Sequence, residues 1–305
     1  MRYLILRQKD VHKVPAGHVP AGVDGSVEAF SQDLPPSEVR GLRRDKRVLN
    51  SAPAMSLALI RPINAEQFMP VAATGAKQEK PTWGVRAVKA DTSGFSAEGV
   101  CVALLDTGID KAHHALAGIK LGARNCRNFT TTDSSAWHDT DGHGTHCAGT
   151  IFGRPVSGNR IGVAPGVNDV VIGKVLGSDG GSTGTLLDAL NWAIQNEAQI
   201  ISMSLGMDLV GLREQLVEDG VHELEATSTA MRVLIDNVRL FDKFGNLLRS
   251  GIAFGRSAAV IAASGNESDR MGARFGGLPF VLGAAYPSET EDFVSVGALG
   301  RHRRQ

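Results

Sequence analysis

Three short stretches of this 305-residue chain carry side chains suited to acid–base or electrostatic chemistry. Asp106 follows the apolar run Val100–Leu105 and precedes Thr107, Gly108, Ile109 and Asp110. A carboxylate at the end of a buried strand is poorly placed for mere solubility, and open α/β sheets gather ligands at that edge. A helix-capping Asp and a catalytic Asp both fit the position. His143 lies between Gly142 and Gly144 in the stretch His138–Thr150. The small residues after it (Gly144, Ala148, Gly149) suit a closely packed helix with His143 at its N-terminus. The positive end of the helix dipole there is expected to favour neutral imidazole, the form a general base needs. Asn266 ends the stretch Ala262–Asn266 after another apolar run. Its amide N–H can donate to a developing oxyanion, although Asn after Gly is also a common turn pair.

The elements that must position these groups read as alternating strands and helices. Val100–Leu105, Val170–Leu176, Ile200–Leu205 and Ala258–Ala263 are continuous apolar runs of strand length, and Phe293–Leu299 is a fifth candidate. Apolar residues on both faces imply burial on both faces, as in a parallel sheet. Leu186, Leu190, Ala193 and Ile194 share one face of a helix expected over Ser182–Glu197, capped by Ser182 or Thr183. The alternation predicts a doubly wound α/β fold with a mostly parallel sheet and flanking helices. Residues 207–257 read as an insertion at the surface, with a helix near Glu223–Leu240. Residues 1–80 differ: they are Pro-rich, with a short helix over Leu34–Arg43, a strand within Ser51–Pro62 and a linker over Ala65–Lys80. They read as a small N-terminal α+β module, separate from a second domain over 81–305.

Composition narrows the partners. Lys+Arg and Asp+Glu are both 32, which removes the simplest argument for nucleic acid or an anionic membrane. No apolar run approaches the ~20 residues that span a bilayer. Three cysteines, Cys101, Cys126 and Cys147, cannot all pair within the chain, so no disulfide framework is expected. The four apolar residues of Tyr3–Leu6 are too few for a secretory signal, and localisation is left open.

Taken together, the three stretches resemble those of the subtilisin-like serine proteases (subtilases). Asp106–Asp110 is similar to the family's Asp motif, Asp141–Thr150 to its His motif and Ala263–Glu267 to its oxyanion motif, in the family's chain order. Trp83–Val85, Val163–Pro165 and Ser202–Gly206 also fit. The resemblance implies a serine endopeptidase in which His143 is general base and then general acid. It makes Asp106 the residue that orients the imidazole and Asn266 the oxyanion donor. It also implies that Gly180, Gly181 and Ser182 on one side, and Ser204, Leu205 and Gly206 on the other, clamp an extended polypeptide substrate. Residues 1–80 resemble the family's inhibitory, folding-assisting propeptide, a partner within the same chain.

One part of that resemblance has no counterpart. The family's nucleophile opens a buried helix in a Gly-Thr-Ser-Met-Ala-like motif after the oxyanion Asn. Only 39 residues follow Asn266, and their serines, Ser268, Ser288 and Ser295, lack that context. Ser228, in Ala226–Met231, precedes Asn266 and has no glycine turn before it. A catalytic domain cut short at its C-terminus is expected, inactive by itself and poorly soluble. A peptide-binding pseudoprotease and a non-functional fragment are the alternatives. No cofactor is expected. Members of the family often bind calcium, but His114-Ala115 stands where they often have Pro-Asp, so that site is not predicted. His138, His143, His146, Asp139, Asp141 and Cys147 do not form an H-E-x-x-H pattern, and Cys147 is expected to point away from any ligand set; no metal is expected. Cys147 is instead expected as a buried free thiol near the histidine.

Overall fold

The computed structural model describes residues 1–9, 26–42, 44–61, 81–251, 255–268 and 278–298. The linker expected over 65–80 and the basic end 301–305 lie outside the described residues.

The centre is a six-stranded sheet. β1 (Arg2–Gln8), β2 (Val27–Asp33), β3 (Val48–Pro53) and β4 (Ser56–Leu59) belong to the N-terminal module, with α1 (Pro36–Leu42) between β2 and β3. α2 (Trp83–Ala87) leads into β5 (Val102–Asp106), β6 (Cys126–Asn128), α3 (His143–Phe152) and β7 (Val170–Lys174). Next come β8 (Gly181–Ser182), α4 (Thr183–Gln195), β9 (Ile200–Met203) and β10 (Leu205–Met207). The last elements are α5 (Leu209–Glu218), α6 (Glu223–Ser250), β11 (Ala259–Ala263) and β12 (Val294–Val296). The sheet order is β12-β11-β9-β5-β7-β6, and every pairing is parallel.

Side-chain alternation along β5 explains why the sheet needs cover on both sides. Val102 and Leu104 pack with Ala148 and Phe152 of α3. Ala103 and Leu105, on the other face, belong to the hydrophobic core to which α4 adds Leu186, Leu187 and Leu190 and α6 adds Leu240, Phe241 and Phe244. All five β5 residues are buried, Asp106 included. The expectation of a parallel sheet buried on both faces therefore holds for the central strands. β12 is an edge strand whose Val294 and Val296 are exposed.

Two expectations need correction. The 207–257 connection is not a surface appendage. It folds as α5 and α6, and Leu240, Phe241, Phe244 and Leu248 of α6 are buried in the main core. The helix also runs ten residues past Leu240, to Ser250, because Phe241, Phe244 and Leu248 continue its apolar face. Secondly, the N-terminal module holds more strand than its sequence suggested. Tyr3–Leu6, weighed only as a secretion signal, is the middle of β1, which pairs antiparallel with both β2 and β3. The strand expected within 51–62, over Met55–Ile60, is β4 (Ser56–Leu59), and β3 is a further strand before it.

The module sits on α4 and α6. Asp188 of α4 accepts hydrogen bonds from the backbone N–H of Ser31 at 2.6 Å, the Ser31 hydroxyl at 2.5 Å and the Arg2 guanidinium at 3.0 Å. From α6, the Asn237 amide donates to the Pro53 carbonyl at 2.8 Å. Leu4, Leu6, Ala29 and Ala52 of the module join the same hydrophobic core as α4 and α6.

Because α6 serves both the sheet and the module, Phe244→Ala should cost about 3–5 kcal/mol. Urea unfolding of the full chain followed by tryptophan fluorescence measures this. A loss below about 1 kcal/mol would show that α6 is not part of the core.

Candidate active site

Asp106 stands at the C-terminal end of β5, and His143 is the first residue of α3. The two meet: His143 Nδ1 lies 2.7 Å from Asp106 Oδ1, with Asp106 1% exposed. The Thr107 backbone N–H also donates to Oδ1, at 2.8 Å. Asp106 Oδ2 is buried with no hydrogen-bond partner among the described residues. Such a carboxylate strongly favours a cation beside it. Burial alone would push the His143 imidazole down, but the Asp106 hydrogen bond and charge, with a contribution from Cys147, raise it from 6.5 to about 10. The expectation that the helix N-terminus keeps this imidazole neutral is therefore corrected: a full charge at hydrogen-bond distance outweighs a partial one. Nδ1 is committed to Asp106, which leaves Nε2 for a reacting group.

Two glycines permit this approach. Gly108 has a left-handed φ of +108°, and a Cβ on Gly144 would collide with the Gly108 carbonyl oxygen. The Asp loop and the first turn of α3 are thus in backbone contact. A second carboxylate, Asp139, joins them. Its Oδ1 accepts from the Thr107 hydroxyl at 2.9 Å and from the Asp141 and Gly142 N–H groups at 3.1 and 2.9 Å. Its Oδ2 accepts from the Thr145 N–H at 2.8 Å and the Thr145 hydroxyl at 2.6 Å. The Thr107 hydroxyl in turn accepts from the Gly144 N–H at 2.9 Å. Burial would raise the Asp139 carboxyl, but the Thr145, Gly142 and Thr107 hydrogen bonds hold it down at about 2. The sequence showed Asp139 only as one of several metal-type donors. Its place four residues before His143, with Thr107 and Thr145 on the two segments it joins, was the signal for this role.

Cys147, one helical turn after His143, has its sulfur 3.7 Å from His143 Nδ1 and 3.9 Å from Ser204 Oγ. The expectation that its thiol points away is thus incorrect, because positions i and i+4 share a helix face. Cys147 is also half-buried rather than buried. Donor atoms of Asp106, His143 and Cys147 lie within 4.8 Å of one another, the one grouping among the described residues close enough to hold a metal ion. Binding there would disrupt the Asp106–His143 hydrogen bond. At the turn after the Asp loop, His113 and His114 offer imidazoles, which do not suit calcium.

Gly180–Ser182 and Ser204–Gly206 flank an extended strand of the protein itself. β4 is the middle strand of a second sheet, β10-β4-β8, antiparallel to both neighbours. Leu59, Ala58 and Leu57 stand opposite Leu205, Gly206 and Met207, while Ser56 and Leu57 stand opposite Ser182 and Gly181. Gly180 has a φ of +80° and closes the turn that begins at Gly177. Ser182 also caps α4, accepting from the Thr185 N–H at 3.1 Å. The ladder ends where the Ile60 N–H donates to the Ser204 carbonyl at 3.2 Å. The Asn266 side-chain amide donates to the next carbonyl, that of Arg61, at 2.9 Å. The Arg61 guanidinium meets Asp141 of the His loop. Asn266 and the His loop thus hold one residue from its two ends.

None of the serines considered from sequence pairs with His143. Ser268 accepts from the Leu282 N–H, Ser288 and Ser295 bond each other at 3.1 Å, and Ser228 is exposed on α6.

Two titrations check this geometry. In the full chain, the His143 imidazole followed by NMR should stay protonated well past pH 6.5, and Asp106→Asn should return it to 6.5 or below. Because the folded value is raised, this contribution to stability is complete below pH 6.5 and is lost as pH climbs towards 10. A wild-type midpoint at or below 6.5 would contradict the pairing. Asp139→Asn should cost about 2–3 kcal/mol at pH 7 in urea unfolding. Its carboxyl is depressed, so the gap should close as pH falls from about 4 towards 2. A gap independent of pH would rule out the carboxylate as its source.

Comparison with known proteins agrees with the architecture. The sequence model of the Subtilase family matches residues 97–304. The chain is 34% identical over 248 residues to the major intracellular serine protease of Bacillus subtilis (strain 168), covering 80% of this chain and 63% of that one. It is 30% identical over 221 residues to subtilisin E of the same organism, covering 71% and 46%. It is also 30% identical over 194 residues to alkaline serine exoprotease A of Vibrio alginolyticus, covering 60% and 33%. The chain thus spans between about a third and two thirds of the length of these relatives. With a family match over most of its length and a parallel sheet that delivers the Asp and His motifs to one edge, the chain belongs to the subtilase family.

Proposed function

We propose that the chain carries the acid–base, oxyanion and substrate-binding parts of a serine endopeptidase that hydrolyses peptide bonds in extended polypeptides. The observation that supports this most is the seating of Met55–Arg61. An extended segment lies between the two clamp strands, and its outgoing carbonyl meets Asn266 beside the His143 loop. In this reading the unprotonated fraction of His143, which grows as pH rises towards 10, takes at Nε2 the proton of an attacking hydroxyl and returns it to the leaving amine. Asp106 holds the ring and stabilises the imidazolium. Asn266 donates to the carbonyl oxygen as it gains charge. The relatives' names, subtilisin E and major intracellular serine protease, support the same reaction class.

Residues 1–61 act in this reading as an internal occupant of the cleft, as a propeptide does. The module is anchored on α4 and α6 and delivers β4 to the clamp. Among the described residues no serine is hydrogen-bonded to His143. In this reading the 305-residue chain, once its cleft is emptied, binds peptide without cleaving it. Among the described residues no helix is long and apolar enough to cross a membrane.

Leu57→Asp with Ile60→Asp should expel the segment, since both side chains are 4% exposed. The variant chain should then bind a fluorescent peptide copying residues 55–61 and leave it intact by mass spectrometry. The unaltered chain should bind it far more weakly. Labelling by a fluorophosphonate together with peptide turnover would overturn the inactivity. Absence of binding by a variant that still melts cooperatively would overturn the clamp.

A further inference from the structure

The main-chain ladder that holds β4 stops at the Ile60 N–H, so the residue after it must be fixed by other means. Two contacts do this. Asn266 holds the Arg61 carbonyl, and Asp141 holds the Arg61 guanidinium. The second contact is a two-pronged fork, with Nη1 to Oδ1 at 3.2 Å and Nη2 to Oδ2 at 2.5 Å. Fork geometry of this kind selects Arg over other side chains. Asp141 is itself fixed two residues before His143, and the His143 backbone N–H helps to hold its carboxylate in the ionised form. The other carboxylate of this loop, Asp139, is used up by five hydrogen bonds within the protein. Asp141 is therefore the acid of the His loop that faces the cleft. The Arg61 side chain is 62% exposed and adds no core packing; its evident structural contact is this pair.

We propose that Asp141 is a specificity-determining residue, a subsite for a basic side chain, arginine above all, at the position that directly follows the clamped strand. This rests on the reading of β8 and β10 as a substrate clamp, with Arg61 standing in for the residue of a substrate. The Arg61 hydrogen bond lowers the Asp141 carboxyl and raises the guanidinium, in keeping with a pair that stays charged at neutral pH. Ile60, 4% exposed, makes the preceding position apolar. The cleft thus favours extended segments ending in an aliphatic residue followed by Arg. Since both partners of the pair are open to solvent, the preference is moderate, about three- to tenfold, and weakens with salt.

The test uses the full chain carrying Leu57→Asp and Ile60→Asp, with two fluorescent probes. One copies residues 55–61 and the other replaces its Arg by citrulline, which keeps the shape and removes the charge. The Arg probe should bind about three- to tenfold more tightly, and Asp141→Asn in the same background should abolish the difference. Equal affinities for the two probes would overturn the role of Asp141 while leaving the clamp intact. Binding of neither probe to a cooperatively melting protein would overturn the clamp, and this inference with it. If that background does not fold, hydrogen exchange of the Ile60 amide in otherwise unaltered chains decides. Arg61→Gln and Asp141→Asn should each speed exchange by a similar factor, and the double variant no further. Exchange unchanged in both single variants would contradict the proposal.

Discussion

A buried carboxylate that lacks enough hydrogen bonds must have a cation next to it, and Asp106 is such a group. One of its oxygens is shared between the His143 imidazole and the Thr107 N–H, and the other has no partner among the described residues. Leaving that charge without His143 would cost several kcal/mol. The local architecture follows from keeping the two together. β5 carries Asp106 to the edge of the sheet, Gly108 and Gly144 let the backbones touch, and Asp139 joins the Asp loop to the first turn of α3. On the far side of β7, the Lys174 ammonium donates to the His138 carbonyl at 2.8 Å and ties the loop down again.

The same edge of the sheet explains the cleft. β5, β9 and β11 are parallel neighbours, so their C-terminal ends present Asp106, Ser204 and Ser264–Asn266 along one rim. β10 continues directly from β9 and offers its free edge to an incoming strand, while β8 offers another from the start of α4. An antiparallel segment between two such edges satisfies the backbone groups of all three. β4 fills that place because the module carrying it rests on α4 and α6, the helices that also complete the core. Stability of the six-stranded sheet domain and occupancy of its cleft are therefore coupled through the same two helices.

Much of this was legible in the sequence, and the pattern of what was not has physical causes. Val100–Leu105 and Val170–Leu176 were readable as buried strands because both of their faces are apolar. The three motifs were readable because glycines and small residues flank each functional side chain. β1 was missed because Tyr3–Leu6 is short and stands between arginines, and its burial comes from pairing with β2 and β3, which are distant in sequence. The reach of α6 beyond Leu240 was missed for a related cause: Asp242, Lys243 and Asn246 lie among its apolar residues and blur the periodicity. The state of His143 was misjudged because the sequence shows the helix that begins there but not the distance to Asp106. Asp139 meets Thr107 across 32 residues, and Asp141 meets Arg61 across 80. No local pattern encodes the second of these separations.

The central claim is that residues 55–61 lie as a strand between β8 and β10, in front of the Asp106–His143 pair. Hydrogen–deuterium exchange of the unaltered full chain, resolved to single amides, tests it most directly. The account predicts slow exchange at both Ala58 and Ile60 of the bound segment and at Asp208, whose N–H donates to the Ser56 carbonyl at 3.0 Å. Exchange at Ala58 and Ile60 as fast as in an unstructured peptide, with β5 and β9 still protected, would contradict it.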